Sequence, residues 1–241
     1  MKQVLITGAS SGIGEALVHQ YLKQGWQVVA CGRNDARLQQ LSAVSPAVQP
    51  LRFDITDPAQ IAAAALQVTQ LDVLILNAGD CRYIDDVMQF DGELFASVIQ
   101  TNLISAGYLL QHLLPKLKRG GQLVVVSSSA TLLPFTRAQA YGASKAGLDY
   151  LAASLRLDLQ QYDIGVTLVH PGFIKTPLTD KNDFAMPFLQ SAEQAAQRIY
   201  RGVQQGRMYL HFPKRLTLLL KVLALLPDRV WYWLAGRMDQ A

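Results

Sequence analysis

The chain has 241 residues, half of them hydrophobic, with 22 lysines and arginines against 18 aspartates and glutamates. No linker, repeat or low-complexity tract divides it, so we expect a single globular unit over residues 1–241. The net charge of +4 is spread along the chain, which argues against a nucleic-acid partner. Two cysteines are too few for a disulfide framework or a metal cluster, and the start of the chain lacks a signal-peptide pattern. We therefore expect a cytoplasmic protein without bound metal.

Strand-like and helix-like segments alternate along most of the chain. The predicted strands are apolar runs, as in parallel strands buried on both faces, and span 3–7, 27–31, 50–53, 73–76, 122–127, 166–170 and 208–212. Helical periodicity covers 15–24, 35–43, 57–68, 89–117, 139–161 and 191–205. Asn34, Thr56 and Ser191 are the expected N-caps. This order predicts an α/β fold, a doubly wound parallel sheet of Rossmann type with helices on both faces. Ligands of such sheets bind beyond the carboxyl ends of the strands.

A glycine-rich turn follows the first predicted strand. Residues 7–14 read T-G-A-S-S-G-I-G and lead directly into a predicted helix. Gly8, Gly12 and Gly14 leave the backbone open to a bulky anion, and a helix N-terminus attracts negative charge. The turn therefore predicts a site for the pyrophosphate of a dinucleotide, although its spacing differs from the general G-x-G-x-x-G pattern.

The residues after the next strands indicate which dinucleotide binds. Dehydrogenases that prefer NAD usually carry an acidic residue about 20 residues beyond the glycine turn, on the ribose 2′-hydroxyl. Gly32 and Arg33 occupy this place, and a guanidinium pairs well with a phosphate. We therefore predict that NADP(H) is preferred over NAD(H); a solvated surface arginine is the alternative. Asp54 is placed for the adenine edge or is a plain turn residue, and residues 77–79 (Asn-Ala-Gly) would pass under the cofactor.

Chemistry-bearing side chains follow the fifth predicted strand. Ser128 lies at its end, and Tyr141 and Lys145 are spaced i and i+4 on the next helix, so they share one face. A nearby ammonium favours the phenolate, so we expect Lys145 to lower the pKa of Tyr141 from its ordinary value of about 10. A tyrosine of this kind can exchange a proton with an alcohol or carbonyl oxygen, and the Ser128 hydroxyl can hydrogen-bond the same oxygen.

Together with residues 171–176 (P-G-F-I-K-T), these motifs resemble the short-chain dehydrogenase/reductase family, in its compact branch, over residues 3 to about 176. The resemblance implies an NAD(P)-dependent oxidoreductase acting on CH–OH or C=O groups, commonly a homodimer or homotetramer. In this family Tyr141 would be the general acid/base, and Lys145 would also bind the nicotinamide ribose. Ser128 would orient the substrate, and Asn102 would hold a water in a proton relay.

The resemblance also implies a set of cofactor contacts. Some NADP-using members carry a basic residue before the second glycine, but Ser11 stands there, so phosphate recognition would depend on Arg33, with Ser10 and Asn34. The implied cofactor-binding residues are Gly8, Ser10, Ser11, Gly12, Ile13, Gly14, Arg33, Asn34, Asp54, Ile55, Asn77, Ala78, Gly79, Tyr141, Lys145, Pro171, Gly172, Ile174 and Thr176.

Substrate recognition is expected in residues 130–137 and 178–189. The second segment carries Phe184, Met186, Pro187 and Phe188, which suggests an apolar lid over an apolar carbonyl or alcohol substrate, or a lid that only packs on the fold. The four histidines are expected in packing or surface roles, the Asp85-Asp86 pair in a solvated loop, and Ser144 in helix packing. A catalytically weak nucleotide-sensing protein on the same fold is the alternative function, and turnover of any carbonyl substrate would separate the two.

The tail, residues 213–241, is unusually apolar. If 216–226 is helical, Thr217 and Lys221 form one narrow polar face and aliphatic side chains cover the rest. Pro227 ends this run, and aromatic residues 231–233 follow among arginines, a composition typical of helices that lie in a membrane surface. Burial against the lid or a second subunit requires the same residues and is our first expectation; peripheral membrane contact is the alternative.

Overall fold

The computed structural model describes residues 1–238, and these pack around one seven-stranded sheet. Every neighbouring pair of strands is parallel, in the order β3-β2-β1-β4-β5-β6-β9. The strands are β1 Gln3–Thr7, β2 Gln27–Gly32, β3 Val48–Arg52, β4 Leu71–Leu76, β5 Leu117–Val126, β6 Gly165–Pro171 and β9 Tyr209–Phe212, with a separate two-stranded sheet of β7 Ile174–Lys175 and β8 Gln190–Ser191.

Helices connect the strands and cover both faces of the sheet. They are α1 Gly12–Lys23, α2 Asp35–Val44, α3 Pro58–Ala65, α4 Gly92–Ile99, α5 Ser105–Leu113, α6 Gln139–Leu159, α7 Ala192–Gln204, α8 Lys214–Leu223 and α9 Asp228–Met238. One core lies between the sheet and α1, α2 and α7, and a second lies between the sheet and α3, α5 and α6. The strands are buried from both sides, which is why their sequences are continuous apolar runs. The predicted doubly wound α/β fold is confirmed.

Two of the three expected N-caps are found. The Asn34 side chain accepts a hydrogen bond at the start of α2, and Ser191 forms a capping box at the start of α7. Thr56 was the wrong residue, because the Asp57 carboxylate caps α3. The Thr56 hydroxyl instead donates to Asp54, 2.8 Å away. An aspartate directly before Pro58 is the better cap, since proline suits the first helical position.

The predicted helix at 89–117 is divided in the structure. α4 begins only at Gly92, where the Asp91 carboxylate accepts from the Leu94 amide at 2.8 Å. A π-helical turn, Gln100–Ile104, then separates α4 from α5, and β5 already starts at Leu117. The extra residue of a π turn cannot be read from apolar periodicity. Such turns often occur at functional sites, and this one contains Asn102.

The tail forms two helices. On the first, α8, the predicted polar residues face the protein, whereas those of a simple amphipathic helix would face solvent. Thr217 is completely buried, and its hydroxyl donates to the Pro213 carbonyl oxygen at 3.0 Å. The Lys221 ammonium lies 4.4 Å from the centre of the Tyr209 ring. The polar face of α8 therefore turns inward and much of the apolar face turns outward. Residues 239–241 of the tail lie outside the described residues.

Candidate active site

A cleft of about 620 Å³ lies at the carboxyl ends of the sheet strands, where a doubly wound fold places its ligands. Its walls come from the turns after β1, β2, β4, β5 and β6, so residues far apart in sequence meet there. It is lined by nearly all of the predicted cofactor-binding residues: Gly8, Ser10, Ser11, Gly12, Ile13, Arg33, Asn34, Asp54, Ile55, Asn77, Ala78, Gly79, Tyr141, Lys145, Pro171, Gly172, Ile174 and Thr176.

Gly14 is the exception among the predicted cofactor contacts, since it is buried and does not line the cleft. A Cβ at this position would lie 2.0 Å from the Gly8 carbonyl oxygen. Position 14 therefore requires a glycine, because α1 approaches the turn too closely for a side chain. Gly12 is needed for a different reason, because its φ is +57° and a Cβ would lie 2.9 Å from the Thr176 side chain.

The start of α1 offers donors to an anion. Ser11 is the N-cap residue, yet among the described residues its side chain makes no capping hydrogen bond. The first-turn amides of a helix have no partner within the helix. A helix of 12 residues directs the positive end of its dipole at the same place. The narrow glycine turn and these amides fit the pyrophosphate of a dinucleotide.

Strand β4 is joined to this turn through Thr7. The Thr7 hydroxyl accepts hydrogen bonds from the backbone amides of Asn77 and Ala78, at 3.0 and 3.1 Å, and the Asn77 side-chain amide donates to the Thr7 carbonyl oxygen at 3.0 Å. A Cβ on Gly8 would lie 2.9 Å from the Ala78 Cα. The predicted passage of small residues beneath the cofactor site is thus held by specific hydrogen bonds.

Two exposed arginines, Arg33 and Arg37, follow β2 near the glycine turn. The exposed Arg33 guanidinium is 3.5 Å from the Asp54 carboxylate. Burial alone would raise the pKa of Asp54, but hydrogen bonds from Thr56 and the charge of Arg33 hold it below its ordinary value. The second guanidinium belongs to Arg37, which donates to the Ser10 carbonyl oxygen at 3.4 Å. Arg37, which lies in the first turn of α2, was not singled out from the sequence.

Ser128, Tyr141 and Lys145 meet on one wall of the cleft. Ser128 is close enough to Tyr141 to influence the pKa of the phenol, and the Lys145 ammonium lies 5.8 Å from the centre of the Tyr141 ring. Lys145 is only 4% exposed and donates to the Val126 carbonyl oxygen at 3.0 Å, which fixes its position below the tyrosine. The spacing of i and i+4 on α6 brings the two side chains together as the sequence predicted.

The pKa values of this pair differ from the expectation that Lys145 lowers the pKa of Tyr141. Burial raises the pKa of Tyr141 above its ordinary value, the nearby Cys81 thiol raises it further, and the hydrogen bond with Ser128 opposes both. Burial also lowers the pKa of Lys145 to about 8. Desolvation disfavours the charged form of each group and is the largest cause of both pKa shifts, an effect that helical spacing alone does not indicate.

Asn102 lies behind the cleft and not in its wall. Its side chain is buried, where it accepts from the Asp80 amide at 2.7 Å and donates to the Ser144 hydroxyl at 2.8 Å. Ser144 in turn donates to the Tyr141 carbonyl oxygen at 2.7 Å. Asn102 therefore joins the loop after β4 to the second turn of α6. Ser144 has the helix-packing position that we expected for it.

A buried pair next to this wall was not expected from the sequence. The His170 Nε2 atom lies 2.9 Å from the Asp149 carboxylate, and His170 Nδ1 lies 3.0 Å from the Tyr209 hydroxyl. Burial opposes ionisation of Asp149, but hydrogen bonds from His170 and Ser127 lower the pKa of its carboxyl group. Asp149 is one turn beyond Lys145 on α6, and its charge also favours the ammonium of that residue. The sequence could have indicated Asp149, because Tyr141, Lys145 and Asp149 are spaced i, i+4 and i+8 on α6 and so share one helix face.

The two segments expected to form the substrate pocket contact each other. The Phe184 ring packs edge-on against Phe173 and Tyr83, with ring centres 6.0 and 5.7 Å apart. The Arg137 guanidinium pairs with Asp85 at 2.6 Å and with Asp183 at 3.1 Å. Asp85 is thus an ion-pair partner and not merely a solvated loop residue. Arg137 connects segment 130–137 to the lid, 178–189.

Comparison with known proteins shows which family the chain is similar to. The sequence profile described as short chain dehydrogenase matches residues 2–186. A protein named "Uncharacterized oxidoreductase" from Myxococcus xanthus (strain DK1622) is 32% identical over 247 residues, 98% of this chain and 97% of the relative. Serine 3-dehydrogenase from Agrobacterium fabrum is 33% identical over 206 residues, 83% of this chain and 80% of the relative.

The crystal structure of a short chain dehydrogenase from Burkholderia cenocepacia J2315 in complex with NADP gives a TM-score of 0.79 at 26% identity. The match covers 88% of this chain and 96% of that chain. The family profile spans more than half of the chain, and the sheet order and cleft described above accompany it. This chain therefore belongs to the short chain dehydrogenase family and is an NAD(P)-dependent oxidoreductase.

Proposed function

We propose that this protein transfers a hydride between the nicotinamide of NADP(H) and the carbon of an apolar carbonyl or alcohol substrate. The observation that carries the proposal is that Ser128, Tyr141 and Lys145 line the same cleft as the glycine turn. When bound, the nicotinamide supplies or accepts the hydride. The protein must then hold the substrate oxygen and exchange one proton with it.

Tyr141 is the proposed proton donor for carbonyl reduction. With its pKa raised by burial, the phenol keeps its proton at neutral pH and can donate it to the developing alkoxide. The Ser128 hydroxyl, which lines the same cleft as Tyr141, can donate to the same oxygen and orient it. The Lys145 ammonium remains largely protonated below its pKa of about 8 and stabilises negative charge on Tyr141 as the proton leaves.

A preference for NADP(H) follows from the residues after β2. Gly32 and Arg33 line the cleft, no acidic residue stands at the ribose position, and Arg37 adds a second guanidinium beside Ser10. Asp54 forms an ion pair with Arg33, so we propose that the 2′-phosphate of the cofactor replaces Asp54 as the partner of Arg33 when it binds. Several similar solved proteins hold NADP or NADPH and another holds NAD, so measured affinities for both cofactors test the preference of this chain.

The protein is also proposed to form a homodimer or homotetramer in a reducing cytoplasm. Tyr150 and Leu157 on α6 are 80% and 71% exposed and lie two turns apart on one helix face. Exposed apolar residues of this kind often mark subunit interfaces. Cys31 and Cys81 are free thiols, which suits a reducing compartment. Light scattering of wild type and of Leu157→Glu tests the assembly; a monomeric wild type would contradict it.

Turnover by a Tyr141→Phe variant tests the activity. Purified protein is first screened with NADPH and NADP against ketones, aldehydes and secondary alcohols. The Tyr141→Phe variant should keep NADPH affinity and lose roughly 10²-fold or more in kcat, because the ring remains and the proton donor is removed. Tyr162→Phe, at an exposed tyrosine, is the matched control and should retain full activity. Cofactor binding without turnover of any substrate would favour a nucleotide-sensing protein.

A further inference from the structure

The two tail helices and the turn between them expose a series of large apolar side chains. On α8 the exposed side chains recur with helical spacing, and α9 continues the series beyond Pro227. Leu225 is 84% exposed, and Val222 and Tyr232 are each 61% exposed. We call this set the outer tail face: Leu218, Leu219, Val222, Leu225, Leu226, Val230, Tyr232 and Trp233.

The opposite side of both helices is fixed to the protein. Leu216, Leu220 and Trp231 pack with Leu133 in a small core, and the Trp231 indole donates to the Pro134 carbonyl oxygen at 3.0 Å. The inward polar residue Thr217 is hydrogen-bonded and fully buried. The outer tail face is thus presented by anchored helices, which cannot turn it inward without breaking these contacts.

The charges beside this face favour one kind of partner. Of the charged residues described in α8 and α9, four are exposed and basic (Lys214, Arg215, Arg229 and Arg237) and one is exposed and acidic (Asp228), whereas Lys221 lies over the Tyr209 ring on the inward face of α8. Arg229, Trp233 and Arg237 follow one another at i, i+4 and i+8, and the Arg237 guanidinium lies 3.8 Å from the centre of the Trp233 ring. A symmetric contact between two copies would bring these like charges together. An anionic surface would neutralise them.

We propose that the outer tail face docks on a lipid surface that carries anionic headgroups. α8 and α9, of 10 and 11 residues, would lie in the plane of the interface with leucines toward the acyl chains and arginines at the headgroups. Exposed tryptophan and tyrosine suit the boundary between them. This inference rests on the tail alone and holds whether or not the proposed cofactor preference and substrate class are correct.

Co-flotation with vesicles tests the docking. Full-length protein is mixed with vesicles of phosphatidylcholine alone or with added phosphatidylglycerol. Wild type should float only with the anionic vesicles, and Leu219→Glu combined with Val222→Glu should abolish flotation. Arg215→Ala and Arg229→Ala should each weaken partitioning about fivefold. Leu66→Glu, at an 83% exposed leucine outside the tail, is the control and should bind as wild type.

Tryptophan fluorescence gives a second readout that does not depend on recovery by flotation. Trp26 and Trp231 are buried, whereas Trp233 is 55% exposed, so lipids brominated on the acyl chain should quench Trp233 selectively. The quenching should disappear in Trp233→Phe. Wild type that stays in the aqueous fraction with anionic vesicles, or that binds neutral and anionic vesicles equally, overturns the proposal. A dimer that Leu219→Glu dissociates, without vesicle binding, would assign the face to a second copy instead.

Discussion

Lys145 offers a prediction that joins the stability of the fold to the chemistry of the cleft. Its ammonium is 4% exposed, and burial lowers its pKa from 10.5 to about 8. The unfolded chain therefore holds this proton more tightly than the folded protein does. Below about pH 8, Lys145 is protonated in both states, and burial of its charge lowers the free energy of unfolding by the full amount. This destabilisation disappears as the pH rises toward 10.5, because the folded protein then loses the proton. Lys145→Met removes the titrating group and keeps a side chain of similar length.

The size of the effect follows from the two pKa values. A shift from 10.5 to about 8 corresponds to about 3 kcal/mol at 1.36 kcal/mol per pH unit. Between about pH 7 and pH 10, the free energy of unfolding of wild type should rise by about 2–3 kcal/mol relative to Lys145→Met. Other groups titrate alike in both proteins and cancel in this difference. In urea, the gap between the two midpoints should shift by about 1 M.

Urea unfolding at several pH values, followed by tryptophan fluorescence, measures this difference. Lys23→Met, at an exposed lysine, is the control and should show the pH dependence of wild type. A wild-type minus Lys145→Met difference that stays constant over this range would refute the argument that burial governs Lys145. The same titration should appear in catalysis, so the kcat of carbonyl reduction should fall as the pH rises through about 8.

Three further substitutions test other parts of the site. Arg33→Ala should reduce the difference in binding free energy between NADPH and NADH by about 1–3 kcal/mol, the value of a hydrogen bond to a charged group. Titration of both dissociation constants measures this difference. An unchanged ratio, or a wild type that prefers NADH, contradicts the proposed role of Arg33. Gly14→Ala should lower stability by about 1–3 kcal/mol or more, because its Cβ would meet the Gly8 carbonyl oxygen at 2.0 Å; a thermal midpoint equal to that of wild type would show that α1 can move away. Arg137→Gln should raise KM for substrate with little change in kcat, since it removes the ion pair with Asp183 in segment 178–189. An unchanged KM in steady-state kinetics would show that this ion pair does not position the segment for substrate binding.

Much of the fold and cleft could be predicted from short stretches of sequence. Buried parallel strands require continuous apolar runs, and a dinucleotide turn requires glycines directly before a helix, so these features appear locally. The pairing of Tyr141 with Lys145 also follows from helical spacing alone. Because parallel strands all end at one edge, the residues after them converge without any knowledge of side-chain packing.

Contacts between distant segments decided the rest. The π turn that holds Asn102, the pairing of His170 with Asp149 and the Arg137 connection to the lid depend on which elements become neighbours. Desolvation is likewise a tertiary property, and it raised the pKa of Tyr141 where proximity to Lys145 predicted a decrease.

The tail shows the same limit. Its sequence determined that the helices have a wide apolar surface beside basic residues. Only packing determined that Thr217 faces inward and Leu218, Leu219 and Val222 outward, because helical periodicity defines the faces of a helix but not which of them meets the core.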